Sequence, residues 1–343
     1  MKQTKKILVT GGLGYIGSHT VVALQQAGYK VIIIDDLSNA DKEFLEKITE
    51  ITGVKPDFHE IDLKDTEAVF DFFKKEKIDG IIHFAAYKAV GESVQKPLMY
   101  YRNNLLGLIN LLEAMEKYDV DHFIFSSSCT VYGQADQMPI NEKTPLKRPE
   151  APYGKTKHMG EEIIGDFVEA EQKNAIALRY FNPVGAHSSA LIGELPNGIP
   201  NNLIPYITQT ASGIRESLGV FGNDYETRDG TAIRDYIDVN DLADAHVKAL
   251  NRLLTKENKN ALEYFNLGSG TGSTVLEMIE AFEKANNLKV PYEIKDRRAG
   301  DIQEAYADYS LAKKELNWEP NTPLETSMKT AWAFECKINE TIG

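Results

Sequence analysis

Tyr153 and Lys157 stand four residues apart, so on a helix both side chains point to one face. An ammonium beside a phenol favours the phenolate and lowers a pKa that is about 10 when unperturbed. Such a pair can take the proton of an alcohol. Ser126, Ser127 and Ser128 close an apolar run at the carboxyl edge of a predicted strand, where open α/β sheets bind their ligands. A serine there can share a hydrogen bond with Tyr153 and a substrate hydroxyl. Tyr309 and Lys313 repeat the same spacing, but no strand with hydroxyls precedes them, and they read as ordinary helix surface.

A second constellation suits phosphate. Gly11-Gly12-Leu13-Gly14-Tyr15-Ile16-Gly17 directly follows a β-branched run and opens a helical pattern. It fits G-x-G-x-x-G through Gly12, Gly14 and Gly17, and G-x-x-G-x-x-G through Gly11, Gly14 and Gly17. A turn free of side chains lets a pyrophosphate approach the amide-rich helix N-terminus. Asp35 closes the next strand, 18 residues beyond Gly17. A carboxylate there accepts from both hydroxyls of an adenosine ribose and repels a 2′-phosphate. No basic residue follows until Lys42, so NAD is expected rather than NADP, with Lys157 in reach of the nicotinamide ribose. Asp62, after the third strand, is the natural partner of the adenine amino group. Gly268-Ser269-Gly270-Thr271-Gly272 also joins a strand to a helix; it reads as a tight connection, since no acidic partner strand follows it.

The elements that must hold these residues form an alternating series. The runs 6–10, 30–35, 79–84, 121–126 and 175–180 are apolar at their centres, as parallel strands covered on both faces are. Helical spacing separates them at 16–27, 98–115 and 155–168. This alternation predicts a doubly wound α/β Rossmann sheet. Beyond Phe181 the pattern loosens into Asn, Pro and Gly through about residue 230, then resumes at 239–253, 263–267, 275–286 and 323–337. The expected division is a dinucleotide-binding domain over 1–185 and a smaller α/β substrate domain over 186–343, with the segment 235–268 a candidate to pack back on the first.

Composition narrows the function. With 38 basic and 51 acidic residues the net charge is −13, which argues against nucleic acid as a partner. A few arginines in a cleft can still bind a small anion. The start of the chain does not read as a signal peptide. The longest charge-free stretch, 195–214, is broken by Pro196, Pro200 and Pro205, so no membrane partner is expected. Cys129 and Cys336 are the two cysteines; they exclude a disulfide scaffold and a four-cysteine zinc site, and suit the cytoplasm. The sequence has no G-x-S-x-G, no G-x-x-x-x-G-K-[ST] and no H-E-x-x-H. Its seven histidines never pair at metal-ligand spacing, and no metal is expected. His83 reads as a hydrogen-bonded core residue.

With these motifs in place, the chain resembles the extended short-chain dehydrogenases/reductases, and within them the UDP-glucose 4-epimerases. The runs VTGGLGYIGSHT and FIFSSSCTVYG mark the superfamily; RYFNPVGAH and GIPNNL are more specific to the epimerases. The resemblance spans about Ile7 to Trp332. It implies NAD held by Gly11, Gly14, Tyr15, Ile16, Gly17, Asp35, Asp36, Leu37, Ser38, Asn39, Asp62, Leu63, Phe84, Ala85, Ala86, Lys88, Asn103, Lys157 and Phe181. It implies a UDP-sugar held by Asn182, Asn202, Leu203, Phe221, Arg234, Arg298 and Asp301, with Ser128 and Tyr153 at the sugar hydroxyl and Ala305 against its 2-substituent. Charge logic supports the arginines independently, because a diphosphate needs cationic forks. A homodimer built on the helices around 97–116 and 154–169 is implied as well. Three positions depart from the common pattern: Cys129 for alanine, Tyr87 for leucine, and Ala305 for a bulkier residue. The resemblance also leaves a dehydratase or reductase on the same scaffold, or a non-catalytic NAD(H) sensor, to be weighed. A dehydratase would need an acidic pair beside the serine, where Cys129-Thr130 stands. A sensor would usually lack the tyrosine or the lysine.

Overall fold

A computed structural model describes residues 4–298 and 301–342. In chain order the first part comprises β1 (Lys6–Thr10), α1 (Tyr15–Gln26), β2 (Lys30–Asp35), α2 (Phe44–Thr52), β3 (Asp57–Glu60), α3 (Thr66–Lys75), β4 (Gly80–His83), α4 (Val90–Gln95), α5 (Pro97–Lys117), β5 (His122–Ser126), α6 (Pro152–Glu171) and β6 (Asn174–Tyr180). A 3₁₀ turn, Cys129–Tyr132, follows β5. The remainder comprises β7 (Asn182–Val184), α7 (Leu203–Ala211), β8 (Leu218–Phe221), β9 (Ile233–Asp238), α8 (Val239–Leu254), β10 (Leu262–Leu267), β11 (Gly272–Thr274), α9 (Val275–Asn286), β12 (Tyr292–Lys295), β13 (Glu304–Ala305), α10 (Ser310–Leu316) and α11 (Leu324–Ile342).

Seven strands form a parallel sheet in the order β10-β6-β5-β4-β1-β2-β3. Alternate residues of each central strand enter opposite cores, as the two-residue strand period requires. Ile7, Val9, Ile33, Ile82 and Ile124 face α1, α2 and α8; Leu8, Ile32, Ile81, Phe123 and Phe125 face α3, α5 and α6. Both faces are dry, which is why these strands read as unbroken apolar runs.

Chain direction across the sheet reverses between β3 and β4, placing β4 beside β1. A crevice opens at the carboxyl ends of strands on either side of such a reversal. Gly11 follows β1 and Phe84-Ala85 follow β4, so the glycine loop and the serine strand end meet there. A smaller lobe combines the four-stranded sheet of β11, β9, β13 and β7 with the β12–β8 pair, packed on α7, α9 and α11. Within 186–343, α8 packs on the large sheet and β10 extends it beside β6. Among the described residues, no helix is long and apolar enough to cross a membrane.

Candidate active site

A cleft of about 1280 Å³ runs along the carboxyl ends of the strands. Its walls include the glycine loop, Asp35, Asp62, Phe84 to Lys88, Asn103, Ser128, Tyr153, Lys157, Phe181, Asn182 and Asn202. Two of the glycines are fixed by close approach. A Cβ on Gly17 would lie 2.1 Å from the Gly11 carbonyl oxygen, and one on Gly11 would lie 2.7 Å from the Ala85 amide. Gly14, the N-cap of α1, brings no side chain to cap the helix, so its first amides are available to an anion.

Asp35 is buried at the end of β2, where it accepts from the Leu13 amide at 3.1 Å and the Leu37 amide at 3.0 Å. Burial raises its pKa even so. Each carboxylate oxygen keeps a lone pair for a ribose hydroxyl. Asp36 accepts from Ser38, and Asp36, Ser38 and Asn39 line the cleft. Leu37 instead packs on the apolar core. Across the cleft, Lys64 bridges Asp62 at 2.9 Å and Asn103 at 2.8 Å. A floor of small residues, uncapped amides for its phosphates and a buried carboxylate for its ribose suit a dinucleotide here. The NAD expectation fits these residues. Among the described residues, no group of His, Cys, Asp and Glu could hold a metal ion. His83 is buried, with Nδ1 2.7 Å from the Thr10 hydroxyl.

Tyr153, Lys157 and Ser128 converge. Lys157 Nζ lies 6.0 Å from the centre of the Tyr153 ring and donates to the Ser126 carbonyl at 2.6 Å. Ser128 and Tyr153 line the same stretch of the cleft, and the Ser128 hydroxyl acts to lower the Tyr153 pKa. One expectation needs correction. Burial holds the Tyr153 phenol well above its ordinary value, with the nearby Tyr180 phenol adding to the rise and Ser128 opposing it. The lysine does not offset this in the protein alone, because burial pulls Lys157 itself down to about 7, against the raising influence of Glu161.

Arg234, Arg298, Asp301 and Phe221 form a second group. Asp301 pairs with Arg234 at 2.8 Å and with Arg298 at 3.2 Å, and the Arg298 guanidinium lies 4.7 Å from the centre of the Phe221 ring. The positive charge of Arg234 acts on the Cys129 thiol, although burial dominates and pushes that thiol up to about 12. Cys129 lines the cleft, so the arginines adjoin the end where Ser128 sits. Ala305 is the β-partner of Arg234 and packs with Phe181, Val131 and Tyr132. Asn202 is the N-cap of α7, and Leu203 opens that helix against the smaller core.

The family model described as GDP-mannose 4,6 dehydratase matches residues 8–331. A UDP-glucose 4-epimerase of Bacillus subtilis is 53% identical over 330 residues, covering 96% of each chain. The chain belongs to the UDP-glucose 4-epimerase family. It is thereby an extended short-chain dehydrogenase/reductase and an isomerase of that family. The solved UDP-glucose 4-epimerase of Stenotrophomonas maltophila, with bound NAD and formylated UDP-arabinopyranose, is similar at TM-score 0.94 and 45% identity, covering 98% of this chain and 99% of that one. That of Bifidobacterium longum, in complex with NAD+ and UDP, gives TM-score 0.93 and 44% identity, covering 97% and 98%. NAD is the cofactor of this epimerase family.

Two contacts around the site escaped sequence reasoning. Glu194 Oε1 accepts from both Lys88 Nζ at 2.8 Å and Asn202 Nδ2 at 2.6 Å, tying one residue of each half of the cleft together. Its neighbours, Leu195 onward, carry no charge pattern that would single it out. Asp235 is fully buried and accepts from the amides of Ser269, Gly270 and Ala307. It is one of three aspartates in the run RDYIDVNDL, and nothing within that run distinguishes it.

Proposed function

We propose that this protein inverts carbon 4 of UDP-hexoses, interconverting UDP-glucose and UDP-galactose. The observation that carries this reading is that Tyr153 and Ser128 share the cleft wall with the glycine loop and Asp35, next to Cys129, on which the charge of Arg234 acts. NAD, when bound, supplies a hydride acceptor that can return the hydride to the other face of the sugar carbon. The protein's own residues do the rest. The α1 amides and glycine loop take the pyrophosphate, Asp35 the adenosine ribose, and Lys157 the nicotinamide ribose. Tyr153 Oη exchanges the proton of the 4-hydroxyl, with Ser128 sharing that hydrogen bond. Since burial disfavours the phenolate, positive charge brought into the cleft by the cofactor is what restores it. Arg234 and Arg298 grip the diphosphate, with Asn182, Asn202 and Phe221 completing the nucleotide site. Cys129-Thr130, where a dehydratase would need acids, favours epimerisation alone. A coupled assay with UDP-galactose tests this directly, together with NAD release on denaturation. Turnover with about one NAD per chain is expected; activity only under continuous NAD supply would point to an ordinary dehydrogenase.

The same site is proposed to accept UDP-N-acetylglucosamine. Ala305 is buried in one cluster with Phe181, a residue of the cleft wall, and on this reading a larger side chain there presses the wall toward the sugar. The Tyr306 ring lies against Gly272. Specificity constants for both sugars on wild type and Ala305→Tyr should show selective loss of the N-acetyl substrate; equal loss of both would remove Ala305 from the gate. The protein is proposed to be a homodimer through α5 and α6, which expose Leu98, Leu106, Ile109 and Met159. Light scattering should then give about twice 38.3 kDa. A cytoplasmic setting suits the free thiols of Cys129 and Cys336.

A further inference from the structure

Tyr153, Lys157 and Glu161 follow one another at intervals of four along α6, which stacks them on one face. Glu161 is buried, and its carboxylate is fully engaged. Oε1 accepts from the Ser127 hydroxyl at 2.5 Å and from Arg179 Nε at 2.8 Å; Oε2 accepts from Arg179 Nη2 at 2.6 Å. Arg179, on β6, then donates through Nη1 to the Tyr132 hydroxyl at 3.0 Å, and Tyr132 donates to Asn266 Oδ1 at 2.7 Å. The loop after β5 is therefore held at three points: Ser126 by Lys157, Ser127 by Glu161 and Tyr132 by Arg179. Ser128 lies between the second and the third.

We propose that Glu161 is a positioning residue for the epimerisation, acting through Ser127 to fix where the Ser128 hydroxyl stands against Tyr153. This rests on the reading of Tyr153 and Ser128 given above. A buried ion pair is a poor stabiliser in itself, because desolvation offsets much of its attraction, and apolar side chains of similar volume often serve as well. What an apolar replacement could not do is accept from Ser127. The Ser127 side chain is fully buried, so its hydroxyl needs an acceptor, and Glu161 supplies one that sets its rotamer and the path of the backbone into Ser128. The same carboxylate also opposes the burial that lowers Lys157.

The test uses the NAD-loaded enzyme with Ser127→Ala, Glu161→Asp and their double variant, and Tyr153→Phe as the reference. Ser127→Ala leaves the Glu161–Arg179 pair intact. Glu161→Asp keeps the charge but shortens its reach. Misplacing a reacting group by about 1 Å costs on the order of 100-fold, so each single variant should lower kcat by about 10- to 100-fold. KM for UDP-galactose should stay within about two-fold, since ground-state binding is untouched, and NAD content should match wild type. The double variant should be no slower than the slower single one, because the two cut one connection. A wild-type kcat in Ser127→Ala, or losses that multiply, would overturn the proposal. If Glu161→Asp fails to fold, Ser127→Ala alone still decides. If Tyr153→Phe turns over normally, the site reading itself falls; if only Ser127→Ala does, the positioning role falls alone.

Discussion

Two regions of this chain contain nearly the same parts. Each has a strand, a glycine-rich loop, a helix and a tyrosine–lysine pair spaced by four. At Gly11–Gly17 the helix that follows has no side-chain cap. At Gly268–Gly272 the amides of Ser269 and Gly270 are taken by Asp235. The helix beyond is closed by a capping box in which Thr274 and Glu277 satisfy each other's backbone groups. The first loop keeps donors for a ligand; the second has spent them on the protein. The tyrosine–lysine pairs divide in the same way. Tyr153 meets Ser128 in the cleft, whereas Tyr309 packs edge-on against Trp318, with ring centres 6.3 Å apart, and Lys313 pairs with Glu319. Tyr309 is thus part of the core margin, not ordinary helix surface. Whether a motif binds anything is decided by what else already occupies its donors.

The largest effect that could break this contrast comes from the tyrosines. Tyr153→Phe should lower kcat by about 10²–10⁴-fold, with UDP affinity nearly unchanged, while Tyr309→Phe should retain activity. Equal behaviour of the two would erase the distinction. Next come the glycines. Gly17→Ala forces a Cβ against backbone, and overpacking strain of about 1–3 kcal/mol in the bound state corresponds to about 5- to 150-fold weaker NAD binding. Gly272→Ala meets the Ile233 side chain at 2.5 Å; it should reduce the unfolding free energy while leaving NAD content per folded chain unchanged. Measuring bound NAD and the urea midpoint on both variants separates the two loops.

The smallest effect is in acid. Burial pulls His19 and His83 down to about 3 and His246 to about 4. Unfolded, each would take a proton near pH 6.5. Their contribution is therefore complete above about pH 6.5 and is lost progressively as pH falls toward those values. Burial raises Asp35, Asp235 and Asp238, an opposing contribution that sets in above the ordinary carboxylate range as each takes a proton in the folded state. All three histidines lie in the large-sheet body, so hydrogen exchange between pH 7 and pH 5 should show α1 losing protection before α9. The reverse order would mean that the smaller lobe, not the sheet, is the acid-sensitive region.

Most of the sheet was legible because its central strands are buried on both sides and read as apolar runs. The run 30–35 matches β2, and 6–10 matches β1. The glycine loop was legible because close approach demands a residue without a side chain, and that requirement is local. Asp235 was not, since the loop it fills lies 34 residues downstream and no local pattern links a strand acid to a distant turn. The protonation of Tyr153 was not legible for a related reason. Spacing shows that a lysine is near, but not that the lysine is itself desolvated and committed to the Ser126 carbonyl.

β10 has a consequence for how the molecule is made. It pairs with β6, yet residue 267 is synthesised long after residue 180. At about 5–20 residues per second, several seconds separate the two. During that interval the nascent chain holds six of seven strands with β6 as an open edge, and the face that α8 will cover is bare. Such an edge is a template for pairing with other chains. The amino-terminal region, which carries the glycine loop, Tyr153 and Lys157, therefore depends on late-arriving sequence to become soluble on its own surface, and a chain released near residue 185 would be an aggregating fragment rather than a small dinucleotide-binding protein.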